Sequence, residues 1–339
     1  MLTRRDFGKL AIAAPAAAVL ADVAPVFGFA RAARPDSRIE GVQIGLIVPY
    51  SLGRDAGDAL AILDQVTTVG ISAIEMQNGP VEEYAGAPAP PPRPRPAGPP
   101  SGAPGGAPGG GRRRPELTPE QQAARREYAD ALKAWRLSQS MDTFKALRAK
   151  YNDAGVSIYA FKLALTAEMS AEEYAYTFDV AEALGASHLT MELPEDGALT
   201  KRIGEFAADR QIMVGYHTHT QGSLTAFDEA VAQSKYNGIN VDIGHYVAGT
   251  SESPIPLIEK HHSRFTSIHL KDRKKNNGPN MPWGQGDTPI VEVLQLMKRK
   301  GHTWPATIEL EYPVPEGSTR VAEIARCFEY CRKALTAKT

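Results

Sequence analysis

From residue 42 to residue 335 the chain repeats one unit: a short β-rich run, then a longer run with apolar residues at helical spacing. Few folds accept that repeat, because a strand joined through a helix to a parallel strand must be covered on both faces. The strand-like runs are 42–49, 71–76, 156–163, 187–193, 212–217, 239–243, 265–272 and 306–311. Between and after them, 58–69, 171–184, 198–209, 224–234, 255–261, 290–300 and 319–335 carry helical periodicity, and a charged helical stretch fills 116–151. Eight strand and helix pairs in alternation predict a (β/α)8 TIM barrel. A chain of 339 residues, 42% apolar, can bury the core that such a barrel needs.

Two stretches fall outside the repeat. Residues 85–115 hold eleven of the 26 prolines, several glycine pairs and five arginines, and nothing that could build a core. We read them as a disordered low-complexity insertion in the second βα loop. Because βα loops lie at the catalytic mouth of a barrel, the insertion either flaps over the site, mediates contacts, or is a tolerated linker. At the N-terminus, Arg4-Arg5-Asp6-Phe7 precedes an alanine-rich, weakly apolar run, and Ala30-Arg31-Ala32 offers a small-residue cleavage site. Residues 1–32 therefore resemble a twin-arginine export signal, leaving 33–339 as a single barrel domain in the periplasm or outside the cell.

Cleavage there removes four positive charges (Arg4, Arg5, Lys9, Arg31) and two negative ones (Asp6, Asp22), taking the net charge from −1 to −3. A mildly acidic protein is not built to hold a polyanion, so no nucleic-acid partner is expected. No apolar run has the length and purity of a membrane span. Cys327 and Cys331 lie four apart on one helix face without a partnering Cys or His, and we read them as packing residues.

The strand ends carry the chemistry. Phe265-Thr266-Ser267-Ile268-His269-Leu270-Lys271-Asp272 begins as an apolar-rich strand and finishes in an imidazole, an ammonium and a carboxylate. Ionisable groups are costly to bury unless paired or metal-bound, so a strand that ends this way presents them to something. Four other strands end alike, in Thr190-Met191-Glu192, Tyr216-His217-Thr218-His219, Val241-Asp242-Ile243-Gly244-His245 and Glu309-Leu310-Glu311. A lone strand-end histidine is ordinarily a satisfied core residue. Five consecutive strands ending in carboxylate or imidazole point instead to a site for one divalent metal ion. These ligand types without thiolate suit Mn2+, Mg2+, Co2+ or Zn2+. Such an ion can hold two adjacent oxygens of a sugar and stabilise an enediolate while a neighbouring carboxylate moves a proton.

His217-Thr218-His219, VDIGH at 241–245, IHLKD at 268–272, the PWGQGD loop at 282–287 and IELEYP at 308–313 resemble the xylose-isomerase-like TIM-barrel superfamily, the sugar phosphate isomerase/epimerase group. The resemblance covers 42–335 apart from the insertion; its motifs are specific for the superfamily and not for a substrate. It implies metal ligands at Asp242, His269 and a strand-eight glutamate. Glu309 fits that last place by its distance from Trp304 and is preferred, whereas Glu311 fits by the Tyr-Pro after it. Glu192 and one of His217 and His219 would complete the shell, since many relatives have a carboxylate where this chain has His-Thr-His. Glu192, Glu309 and Glu311 are the candidate catalytic carboxylates.

Weaker expectations concern the surroundings. Lys162 either contacts a substrate oxygen or pairs with a strand carboxylate. Lys271 and Asp272 either meet substrate or form an ion pair at the rim. Trp283 either stacks on a sugar face or packs within its loop. His245 either orients Asp242 or binds substrate. His188, His261, His262 and His302 are read as structural.

The leading expectation is an exported, metal-dependent sugar isomerase or epimerase acting by proton abstraction next to a carbonyl, on a small-molecule carbohydrate and open to oligomer formation. The competing chemistry is a lyase or dehydratase acting on oxidised (3-keto) glycosides. That class is suggested by the resemblance, and by export together with the lack of a glycine-rich phosphate cradle in the sequence. An abasic-site endonuclease would need a basic groove, and a non-catalytic sugar-binding module would keep its affinity after chelation.

Overall fold

The computed structural model describes residues 34–54, 56–91 and 117–337. Eight strands run parallel: β1 (Val42–Val48), β2 (Ala73–Gln77), β3 (Ser157–Lys162), β4 (His188–Glu192), β5 (Met213–Thr218), β6 (Asn237–Asp242), β7 (Phe265–Leu270) and β8 (Ala306–Ile308). Each is hydrogen-bonded to its neighbour in sequence, and β8 pairs back with β1, Ala306 opposite Ile44, so the sheet closes into the expected barrel. Closure leaves no sheet edge and sorts every strand by alternation into a face toward the helices and a face toward the barrel axis.

Around the sheet lie α1 (Ala59–Val69), α2 (Asn78–Tyr84), α3 (Pro119–Leu137), α4 (Asp142–Asp153), α5 (Ala171–Leu184), α6 (Gly197–Arg210), α7 (Asp228–Gln233), α8 (Ile243–Thr250), α9 (Ile255–His261), α10 (Ile290–Lys300) and α11 (Arg320–Thr336). Their starts are written locally. Asp58 accepts from the backbone N–H groups of Leu60 and Ala61 at the head of α1, and Ser170 with Glu173 forms a reciprocal cap at the head of α5. Cys327 and Cys331 are buried free thiols in α11, and burial raises both above the ordinary thiol pKa, as packing residues require.

Three features depart from the sequence expectation. The helical stretch 116–151 is two helices, α3 and α4. At the break the Ser138 hydroxyl and the Gln139 amide both donate to the Trp135 carbonyl, and the Ser140 hydroxyl accepts from the Asp142 N–H, so side chains take over the backbone's partners. It is α4 that buries Phe144, Leu147 and Tyr151 and so serves as the barrel's second helix, while α3 buries no residue. β8 stops at Ile308, short of the expected 311. And α8 begins directly at the end of β6, where helix was not expected.

Of the insertion 85–115, only 85–91 belongs to the described residues; the stretch falls between α2 and α3, in the connection from β2 to β3. That connection is clamped beside the barrel. Buried Glu82 of α2 receives a two-pronged contact from Arg136 of α3 (2.7 and 3.0 Å) and a hydroxyl from Tyr176 of α5 (3.1 Å). The export-signal stretch 1–32 lies outside the described residues. Among those residues no helix is long and apolar enough to cross a membrane.

Candidate active site

Parallel pairing in register brings the polar strand ends to one level. Asp242 lies opposite His269, His269 opposite Thr307, and His217 opposite Asn240. Neighbouring strands are about 4.8 Å apart, so inward side chains at matched positions must touch. The result is a cluster of His217, Asp242, His269 and Glu309, all buried, each offering one nitrogen or oxygen within 4.8 Å of the others. Of the two strand-eight glutamates, Glu309 is the one that lies in this cluster. Glu311 turns instead to the rim, where it accepts from the Tyr50 hydroxyl, the Lys271 ammonium and Asn280.

Asp242 has two duties. One oxygen accepts from the His245 backbone N–H (2.7 Å) and caps α8, which is why a helix starts at this strand end. The other oxygen lies 3.1 Å from the Lys271 ammonium but receives no hydrogen bond in acceptable geometry. Gly244 makes the approach possible, since a Cβ there would sit 2.5 Å from the Lys271 carbonyl oxygen.

His269 is held at both nitrogens, by Glu309 at Nδ1 (2.6 Å) and by Glu75 at Nε2 (2.8 Å). Burial opposes charge on this ring, yet the two carboxylates raise it from the ordinary 6.5 to about 10. Burial likewise pushes the Glu75 carboxyl up, and the His269 imidazolium outweighs that push and brings it to about 2. Burial raises Asp242 to about 7 despite the Lys271 ammonium beside it. The His217 ring is driven well below the ordinary value by burial and then by Lys162, so it stands neutral, with Nδ1 unpartnered.

At the open side a second, overlapping group joins Glu192, His217 and His219, with Glu192 and His219 exposed. Lys162 lies 3.1 Å from Glu192, which is the carboxylate-pairing alternative for that lysine. His245 is wedged between Lys271 (3.0 Å) and Arg273 (2.6 Å), and burial followed by the Lys271 charge lowers it to about 2.

Two expected residues are not gathered here. Asp272 does not pair with Lys271; beyond the end of β7 it turns away from the cluster into the loop that follows. Its carboxylate accepts from the N–H groups of Gly284 and Gly286 (both 2.8 Å) and of Thr288 (3.2 Å), and so shapes the PWGQGD loop. A Cβ on Gly286 would fall 1.9 Å from that carboxylate. The pinned loop turns Trp283 against Tyr330 of α11, rings 5.8 Å apart and edge to face, beside a 280 Å³ cavity that also borders Tyr312 and Cys327. Packing, the second of its two readings, is the arrangement present.

Sequence reasoning passed over Glu75, Asn240, Thr190 and Tyr50. Glu75 carried a legible sign, a carboxylate between Ile74 and Met76 inside a strand, and Asn240 sits two residues before Asp242 on the same inward face.

The donor set of the buried cluster fits a divalent ion. Two imidazoles and two carboxylates come from β5, β6, β7 and the end of β8. Asp242 Oδ2, which has only the Lys271 ammonium beside it, and His217 Nδ1 are buried and make no hydrogen bond, so both are available to a cation.

Similar proteins agree with this architecture. The sequence profile of the Xylose isomerase-like TIM barrel family matches residues 114–331. A sugar phosphate isomerase/epimerase from Parabacteroides distasonis superposes with a TM-score of 0.57 at 16% identity, covering 88% of this chain and 96% of its own. The probable 3-DHS dehydratase AsbF of Bacillus anthracis does so with a TM-score of 0.57 at 12% identity, over 88% and 100%. A Xylose isomerase-like TIM barrel protein from Mycobacterium smegmatis, solved in complex with magnesium, gives 0.50 at 15% identity, over 87% and 96%. At such identities the likeness speaks for the fold. No protein of curated function matches the chain in sequence. With nearly two thirds of its length matched by one profile and its eight strands closed in the corresponding ring, the chain belongs to the xylose isomerase-like TIM barrel family.

Proposed function

We propose that the protein is a divalent-metal-dependent isomerase or epimerase that moves a proton on a carbohydrate carbon next to a carbonyl. The reading is supported above all by one observation: four buried ligand-type groups converge at the C-terminal strand ends, two of them with a buried atom that makes no hydrogen bond. His217, Asp242, His269 and Glu309 would hold the ion. When bound, it draws electron density from the carbonyl and the neighbouring hydroxyl oxygen and so acidifies the hydrogen on the adjacent carbon.

The remaining work falls to the rim. Glu192, at the end of β4, and Glu311, after β8, sit half a turn apart around an eight-strand ring. Lys162 reaches Glu192 at 3.1 Å and holds that carboxylate at the rim, where a base would stand. Glu311, fed by the Tyr50 hydroxyl, can return a proton from the opposite side, the arrangement that inversion at carbon needs. A base acting alone and handing the proton to the next carbon gives isomerisation from the same groups.

A second reading has its own observation. The Tyr50 hydroxyl and the Lys271 ammonium both sit on Glu311, a chain of donors able to protonate a departing oxygen, which makes elimination from an oxidised (3-keto) glycoside the competing chemistry. The family likeness to a probable dehydratase belongs with it. Export through the twin-arginine route remains our reading of residues 1–32, to be tested by locating the protein in cell fractions.

Metal-loaded protein incubated with a panel of ketoses and ketoglycosides in heavy water separates these outcomes. Deuterium at the carbon beside the carbonyl, with the molecular mass otherwise kept, is the expected result. Loss of water or of an aglycone favours elimination. Absence of both across the panel, with metal bound, overturns the reading.

A further inference from the structure

We propose that Glu75 is a positioning residue for the candidate metal centre, accepting a hydrogen bond from the Nε2–H of His269 so that Nδ1 is turned toward the ion position that His217, Asp242 and Glu309 would share. The inference rests on the metal reading above and extends it to a strand, β2, that supplies no ligand. Glu75 is fully buried and lies outside the four-residue cluster, yet it touches one of the cluster's members directly, 2.8 Å from His269 Nε2. It is itself fixed: the Thr190 hydroxyl donates to one oxygen (2.7 Å) and the Asn240 amide reaches the other (3.4 Å).

A neutral imidazole has one N–H and one lone pair. With a carboxylate at each nitrogen, only one side of the ring can turn a lone pair to a cation, and the other carries the N–H. The Nδ1 side faces Glu309, a member of the cluster, whereas the Nε2 side faces only Glu75 and its two supports. The proton is therefore retained toward Glu75. That bond also sets the ring plane, and a carboxylate behind a ligating imidazole makes it a stronger donor. Among the hydrogen-bond partners of this buried carboxylate only His269 can carry a compensating charge, because Thr190 and Asn240 are neutral.

The test is titration of the full chain with Co2+ and with Mn2+, followed by calorimetry and, for Co2+, by its visible absorption. Glu75→Ala is expected to weaken binding by about 10- to 100-fold, the usual cost of losing such a support. Glu75→Gln, which keeps an acceptor oxygen but no charge, should lose less and shift the cobalt bands, a response that mere structural filling would not give. Thr190→Val, which frees Glu75 without touching His269, should show a few-fold loss and covers the case in which Glu75→Ala does not fold. Wild-type affinity and an unshifted cobalt spectrum in Glu75→Gln and Thr190→Val overturn the positioning role while leaving the metal reading intact. Failure of the wild-type protein to bind either ion overturns both.

Discussion

His188, at the start of β4, and His269, at the end of β7, are buried inside the same barrel and live in opposite electrostatic worlds. On the barrel floor, His188 has only hydroxyls at its nitrogens, Ser187 at 2.9 Å and Ser267 at 3.3 Å, and burial lowers it to about 4. Tyr159 and Thr307 pair off beside it, hydroxyl to hydroxyl at 2.6 Å. At the mouth, Glu75, Asp242 and Glu309 face one another with His269 and Lys271 as their counter-charges. The floor solves the burial of polar groups by keeping them neutral and matched. The mouth keeps charges together and leaves lone pairs unmatched, an arrangement that destabilises a fold unless something else binds there.

The largest effect should separate the two strand-eight glutamates. Glu309→Gln is expected to abolish measurable Mn2+ binding in calorimetry, while Glu311→Gln keeps binding and loses turnover. Equal metal affinity in both variants would erase the boundary between cluster and rim. Next comes Lys271, only 1% exposed among Asp242, Glu309 and Glu311. Lys271→Met leaves Asp242 and Glu311 without the ammonium beside them and should cost about 3–5 kcal/mol in urea unfolding of metal-free protein. Excess Mn2+ should narrow that gap, because an ion bound to the native state restores positive charge where it was lost. The floor offers the control: Tyr159→Phe should leave Mn2+ affinity unchanged.

The mouth was more legible in the sequence than the surroundings that support it. Imidazoles and carboxylates at the ends of five successive strands break the apolar pattern, so Asp242, His269 and the Glu309/Glu311 pair could be named from alternation and motif. Which glutamate turns inward could not, because β8 ends at Ile308 and strand alternation no longer governs the residues beyond it. The direction of Asp272, and which of its two readings Trp283 takes, were not legible for a related reason: they follow from three loop N–H groups converging on one carboxylate, a contact between segments that periodicity does not encode. Glu75 escaped notice because a single charge in a strand reads as an irregularity until the barrel closes and sets it against His269. The split of 116–151 turned on Ser138 and Ser140, weak helix formers whose side chains compete locally for the backbone, with the Gln139 amide joining Ser138 on the Trp135 carbonyl.

On the floor, acid should reveal His188. Its folded-state pKa is about 4 against about 6.5 in the unfolded chain, so its contribution is complete above 6.5 and is lost as pH falls through 4. The shift corresponds to about 3 kcal/mol at most. Urea midpoints for wild type and His188→Gln between pH 7 and pH 4 should therefore converge as the solution is acidified, since only wild type carries the penalty. A constant difference across that range would mean that the floor is not a neutral, sealed layer.

The smallest effect marks where the mouth ends. Trp283 lies in a loop beside the barrel opening, but its ring is packed edge to face on Tyr330, and its buried indole N–H has no partner. Trp283→Leu removes the aromatic contact, worth about 0.5–1.5 kcal/mol beyond area, and also removes an unsatisfied donor whose burial is itself unfavourable. The two effects oppose, and with the buried area that leucine gives up the expected net loss is below about 1 kcal/mol in unfolding free energy, with KM unchanged. Were the indole a platform for the sugar, the same change would raise KM several-fold at little cost in stability. The mouth would then extend across the PWGQGD loop and include a face that the present geometry assigns to packing.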